Sequence, residues 1–314
     1  MTEIAQGIAV RPYPRGVRPH FFEAAERRRC LENDVFESLR GAGYREIILP
    51  VVDSSDPYRE IVDEASRRRS YRFIDREGEL LEIRSDFTPM VARALSPMID
   101  TLELPLRVSY RGDVVRCESG RLGDDGEFYQ IGAELLGVVG AAGDAELLAL
   151  AVSAARSGGV EPSVMLSNER LIETIIEPVK TGVRPRLRRA IANKHIDEVE
   201  RLSLEMSGDL RNLLLSVCAG TVTSSELRAQ GLDGIVDTIE TVQASLRGLD
   251  VTISWDDVHP EQSYYTGMRF KLFDGSGRVE IGQGGRYDDL YRAFGVSVAA
   301  VGFTLSLDRL EAVR

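Results

Sequence analysis

A chain of 314 residues can bury a full hydrophobic core, as one large domain or as a core with an insertion. Its 43% hydrophobic and 28% charged residues are ordinary for a globular protein, and no apolar run reaches the roughly 18 residues of a membrane span. The formal net charge of -11 argues against a broad nucleic-acid-binding face, and the N-terminus carries no charged-then-apolar signal pattern, so a cytoplasmic protein without a membrane association is expected.

Cys30, Cys117 and Cys218 are scattered and odd in number, which suggests neither a disulfide framework nor a paired metal site. His20, His195 and His259 lie far apart, so zinc chemistry is not expected, and no other cofactor is called for.

In chain order, residues 1–19 are rich in Gly and Pro and read as irregular surface chain. Phe21, Ala25, Leu31, Val35, Phe36 and Leu39 then recur at helical spacing and predict a helix ended by Gly41 or Gly43, with the basic run 27–29 on its solvated face. Residues 44–52 (YREIILPVV) predict a strand whose Pro50 suits an edge or a terminus. Residues 67–69 read as a polar, Arg-rich loop, followed by strands at 71–75 and 80–84 around a Gly78 turn. A short helix follows, running to about Leu95, and Asp86 and Thr88 would serve as its N-cap residues.

Residues 108–136 predict a long hairpin with a polar, Gly-rich loop. Its second arm alternates Phe128, Gln130, Gly132 and Glu134, which puts Gln130 and Glu134 on one face of a strand and Tyr129 and Ile131 on the other. A carboxylate beside a carboxamide on a strand face is an ordinary solvated edge if exposed. If buried, the two must hydrogen-bond something, and a ligand is one such partner.

Residues 143–157 predict a helix and 163–167 a strand, after which residues 168–248 change to short amphipathic helices with Gly and Pro between them. Strand character returns at 251–255, where Trp255 reads as a packing residue, and again in the aromatic run SYYTGMRF at 263–270. Tyrosine pairs in strands are commonly packing residues. The chain then reaches GGRYDD at 284–289 and closes with a strand running into a helix over 300–310.

Taken together, Arg116-x-Glu118, Phe128-x-Gln130-x-Gly132-x-Glu134, YYTG and GGRYDD resemble the class II aminoacyl-tRNA synthetases, specifically the histidyl enzymes. The resemblance covers nearly the whole chain. It implies an α+β fold with a class II synthetase-like core, mainly an antiparallel sheet flanked by helices, over 1–167 and 249–314, and a helical insertion over 168–248. It also implies pairing into a homodimer through the helix, strand and Pro50 of the motif 1 region.

By the same resemblance, Asp86, Thr88, Arg116, Gln130, Glu134, Tyr264 and Tyr265 form a pocket for L-histidine, in which an acid and a tyrosine hydroxyl can together specify an imidazole. Glu118, Phe128 and Arg309 would be the remains of a nucleotide site. Here the sequence departs from the synthetases. Their arginine before the tyrosine pair falls on Pro260, and losing such a charge stabiliser costs on the order of 100-fold to 1000-fold. Counted without gaps, a second arginine falls on Asp124 beside Asp125, although a gapped match would return Arg121 to that role. The chain also stops at Arg314, before the anticodon-binding domain of the synthetases.

A histidine pocket without this apparatus resembles the regulatory subunit of the short-form ATP phosphoribosyltransferase, the HisZ family. The expected protein is not an enzyme. It supports a separate catalytic subunit in a hetero-oligomer, a hetero-octamer by resemblance, and conveys feedback inhibition by histidine in the first step of histidine biosynthesis. Binding of tRNA is not expected. The competing expectation is a truncated synthetase-like enzyme that activates histidine with ATP.

Overall fold

The computed structural model describes residue 13 and residues 16–59, 61–62, 64–117, 126–258 and 264–314. In chain order its elements are α1 (Phe22–Gly41), β1 (Arg45–Glu46), β2 (Val52–Ser54), α2 (Glu64–Arg69), β3 (Arg72–Ile74), β4 (Leu80–Ile83), α3 (Thr88–Leu95), β5 (Leu106–Val115), β6 (Glu127–Leu136), α4 (Gly140–Ser157) and β7 (Ser163–Asn168). Six helices follow: α5 (Glu169–Ile176), α6 (Arg184–Ala192), α7 (Ile196–Leu202), α8 (Gly208–Cys218), α9 (Ser224–Ala229) and α10 (Asp233–Ser245). The chain ends with β8 (Val251–Ile253), β9 (Met268–Phe273), β10 (Glu280–Arg286), β11 (Ala300–Ser306) and α11 (Leu307–Val313).

Among the described residues, eight strands form one sheet in the order β1-β5-β6-β11-β10-β9-β7-β8. The β1/β5 and β7/β8 pairs are parallel and the other pairs antiparallel, as expected for an α+β core. A smaller antiparallel sheet, β2-β4-β3, stands beside it.

Period-two alternation gives the large sheet one apolar and one polar face. Ile131, Ala133, Leu135, Phe270, Leu272, Phe303 and Leu305 point to the side covered by α1, α4 and α11 and build the main core. The registers Gln130↔Ser306, Gly132↔Thr304, Glu134↔Gly302, Thr304↔Gln283, Gln283↔Lys271 and Gly285↔Arg269 place Gln130, Glu134, Thr304, Gln283, Lys271 and Arg269 together on the other side.

The helices after β7 carry their own apolar cluster, including Leu171, Ile175, Leu187, Ile191, Leu214 and Val236. Trp255 packs against both this cluster and the main core, so it is a junction residue. No helix among the described residues is long and apolar enough to cross a membrane.

Three local expectations change. The strand expected over 44–52 is split between the two sheets, with residues 47–51 unpaired as strand. Pro50 has no N–H to donate, and the Leu49 and Pro50 carbonyls instead accept from Arg84 Nη1 at 3.1 and 3.4 Å. The run 67–69 is the last turn of α2 rather than a loop. Arg28 is not on a solvated face: it pairs with Asp308 at 2.8 Å and Glu311 at 3.1 Å, fastening α1 to α11.

Candidate functional site

A cavity of about 130 Å³ opens between the polar face of the large sheet and the small sheet, with room for a small polar molecule rather than a single water. Asp86, Arg116, Tyr264 and Tyr265 line it, joined by Gln283, Arg67, Arg69 and Arg84. Its other carboxylates are already engaged. Asp53 accepts from the Tyr58 hydroxyl at 2.6 Å and pairs with Arg93, and Glu82 accepts from Ser55 at 2.9 Å.

Asp86 precedes α3, and its Oδ1 accepts from the Thr88 backbone N–H at 3.2 Å. It therefore does the work of a cap although Phe87 holds the N-cap position. Its Oδ2 accepts from the Tyr264 hydroxyl at 3.2 Å, so a single carboxylate joins α3 to the segment before β9. The tyrosine pair was expected within a strand, but β9 begins only at Met268. Tyr264 and Tyr265 instead fold back against Tyr287, with ring centroids 5.6 and 6.2 Å from it.

Beneath this wall lies Glu134, 1% exposed. Its Oε1 accepts from the Thr88 hydroxyl at 2.9 Å, and the Tyr110 hydroxyl is 3.3 Å away. Among the described residues its Oε2 is buried with no hydrogen-bond partner, as are Gln130 Oε1, Thr304 Oγ1 and the Tyr287 hydroxyl. Buried polar atoms are nearly always paired, so three on one face of the sheet and a fourth just past the end of β10 mark a place built to meet something. Burial pushes the Glu134 carboxyl well above the ordinary glutamate range; the Thr88 and Tyr110 donors oppose the shift and the charge of Asp86 adds to it. Gly302 sits directly opposite, where a Cβ would collide with Glu134 Oε2 and the Tyr287 hydroxyl. The glycine leaves the space into which both atoms point.

Arg116 lines the cavity, donates to the Ser85 carbonyl at 2.8 Å and lies over the Phe128 ring at 4.9 Å. Arg84, also half lining the cavity, spends its guanidinium on the carbonyls of Asp113, Leu49 and Pro50 and stacks on Phe87 at 4.2 Å. Arg309 is placed apart from the cavity, largely exposed, and donates to the Glu280 carbonyl at 2.9 Å. Glu118, Arg121, Asp124, Asp125 and Pro260 lie outside the described residues.

The structure thus lines one cavity with Asp86, Arg116, Tyr264 and Tyr265, ties Thr88 and Glu134 to that lining through the Asp86–Thr88 and Thr88–Glu134 hydrogen bonds, and leaves Gln130 on the same face of β6 as Glu134 but outside the lining. It adds Tyr110 and Tyr287, which sequence reasoning missed. Tyr287 stood within the GGRYDD run and could have been singled out there; Tyr110 gave no signal beyond strand alternation.

Residues 16–310 match the family model described as histidyl-tRNA synthetase. The ATP phosphoribosyltransferase regulatory subunit of Moorella thermoacetica is 30% identical to this chain, the match covering 96% of the chain and 81% of that protein. The chain belongs to the family of ATP phosphoribosyltransferase regulatory subunits, built on the histidyl-tRNA synthetase core. Among solved structures, an ATP phosphoribosyltransferase regulatory subunit/histidyl-tRNA synthetase from Bacillus halodurans shares the fold, with a TM-score of 0.80 at 23% identity over 96% of this chain and 83% of that one. The ATP phosphoribosyl transferase (HisG:HisZ) complex from Thermotoga maritima contains a chain of the same fold, with a TM-score of 0.63 at 18% identity over 88% of this chain and 96% of that one.

Proposed function

We propose that this chain is a non-catalytic regulatory subunit of ATP phosphoribosyltransferase, which supports a separate catalytic subunit and conveys inhibition by L-histidine bound in the cavity beside Glu134. The observation that carries the ligand assignment is Glu134 Oε2, buried without a partner among the described residues and close to the Tyr287 hydroxyl beside Gly302. An imidazole N–H is a donor of the right kind for that carboxylate, and its second nitrogen can meet a hydroxyl. Asp86 suits an ammonium group and Arg116 a carboxylate, so a zwitterionic amino acid matches the charge layout of the cavity.

Feedback requires histidine to favour one state of the hetero-oligomer over another, because equal affinity for both shifts nothing. The motif 1 region also supports self-association: Ile48 is 90% exposed and Val51 54% exposed, next to the two-residue edge strand β1. Such apolar side chains grouped at a sheet edge fit a partner's surface better than water.

The test is reconstitution with a short-form catalytic subunit. The reading expects a rise in phosphoribosyl transfer on adding this chain, and inhibition by histidine of the complex; no change in either overturns it. A second reading, activation of histidine with ATP, draws on the synthetase family match and on Arg116, which lines the cavity and lies over the Phe128 ring. Histidine-dependent exchange of pyrophosphate into ATP by the purified chain would favour that reading instead.

A further inference from the structure

A row of buried charges runs from the cavity wall into the helical stretch. Arg269 on β9 is 5% exposed, and its guanidinium lies over the Tyr265 ring at 5.3 Å. Its Nη1 donates to Glu169 Oε2 at 2.9 Å. Glu169 opens α5 and is 4% exposed; its other oxygen is taken by Arg188 of α6, also 4% exposed, which in turn pairs with Glu173. Asp257 lies 3.8 Å from Arg269 and 2.6 Å from Lys271. Three cations therefore face three carboxylates. Gly285 is the strand neighbour that makes room, since a Cβ there would stand 3.0 Å from both Tyr265 Cδ1 and Arg269 Cγ.

Stability does not account for this arrangement, because well-packed apolar side chains can replace a buried ion pair at little cost or with gain. What such a row does impose is position. Arg269, Glu169 and Arg188, the three fully buried members, cannot shift alone without leaving a desolvated charge unpaired, so displacement of one is passed to the next. One end is Tyr265, which lines the cavity. The other lies in the helices whose apolar cluster meets the main core at Trp255, two residues before Asp257.

We infer that Arg269 is a positioning residue for Tyr265 and that, with Glu169 and Arg188, it forms a buried ionic link through which occupancy of the cavity is transmitted to the junction between sheet and helices. The ligand in this inference is the one proposed above, L-histidine, so it rests on that reading. The link makes the helical stretch the element whose placement differs between ligand-bound and ligand-free protein, a two-state device of the kind feedback requires.

Trp255 is the single tryptophan of the chain and reports on this junction directly. The experiment titrates the full chain with L-histidine, following heat for binding and Trp255 emission for the junction. In the wild type, emission changes saturably and in step with occupancy. Arg269→Met binds histidine within about tenfold of the wild type, the loss expected for one second-neighbour contact, and its Trp255 response is lost. Arg269→Lys, which keeps the charge, recovers at least about half of the response. If Arg269→Met fails to fold, Glu169→Gln replaces it, since it removes the shared charge and keeps the side-chain shape.

Histidine binding that leaves Trp255 silent in the wild type, or an equal response in Arg269→Met, overturns the link. Absence of any binding heat is a failure of the histidine reading alone. The link is then tested without ligand: Tyr265→Ala shifts Trp255 emission in the wild-type background and not in Arg269→Met, whereas an equal shift in both, or none in either, overturns it.

Discussion

The Thr88 hydroxyl donates to Glu134 Oε1 at 2.9 Å, across 46 residues of sequence, and so fixes the first turn of α3 over the C-terminal part of β6. With one carboxylate oxygen spent in this way, the other is held at a defined place with no partner among the described residues.

Glu134→Gln makes the ligand-free protein more stable relative to the wild type as pH rises. Burial holds the Glu134 carboxyl well above its ordinary value of 4.5. Its favourable contribution is therefore fully present below about pH 4.5 and is lost as pH rises toward the folded-state value, while glutamine does not titrate. The gap should widen by up to about 1.4 kcal/mol per pH unit above pH 4.5. Urea denaturation between about pH 4.5 and 8 measures it, and parallel stability curves for the two proteins would contradict the burial argument.

Gly302→Ala collides with Glu134 and Tyr287, so it costs about 1–3 kcal/mol of stability and removes ligand binding. Gly182→Ala, which meets nothing within 4 Å among the described residues, is the control and should stay within about 0.5 kcal/mol. Equal melting temperatures for the two variants would show that the space opposite Glu134 is not filled as described.

The Tyr264–Asp86 hydrogen bond should appear as non-additivity. Tyr264→Phe and Asp86→Asn each weaken histidine binding, the first by about 2-fold to 10-fold, and the double variant loses less than the product of the two. Calorimetry on the three variants checks this; strictly multiplicative losses would mean that the two side chains meet the ligand independently.

Much of this site could be read from the chain because period-two alternation is a strong constraint. The spacing of Gln130 and Glu134 places them on one face of β6, and the register of β6 with β11 keeps them there. Local signals were weaker where tertiary contacts decide. Residues 44–52 carry strand propensity, yet Pro50 and the reach of Arg84 to the Leu49 carbonyl divide the stretch between two sheets. Tyr110 reaches Glu134 only because Gly132 leaves space beneath its ring, and Arg269 meets Glu169 only because β9 pairs with β7, which α5 follows. No spacing rule in the sequence expresses contacts of that kind.

Ile48→Glu should convert a homodimer to monomers without unfolding it. The side chain is 90% exposed in the single chain, so the substitution costs the monomer no more than about 0.5 kcal/mol, while a buried interface would have to desolvate the new charge. Sedimentation at several concentrations decides the matter: a monomeric wild type, or a dimer that tolerates the glutamate, rules out this edge as the interface.

The most direct measurement is the histidine dependence of phosphoribosyl transfer by the complex of this chain with a short-form catalytic subunit, comparing the wild type with Glu134→Gln and recording each protein's stimulation in the absence of histidine alongside. Losing a charge-assisted hydrogen bond of about 1.5–3 kcal/mol should raise the inhibitory histidine concentration roughly 10-fold to 100-fold. The same inhibitory concentration for both proteins would place the regulatory histidine elsewhere than beside Glu134, and a catalytic subunit indifferent to this chain would contradict the regulatory role itself.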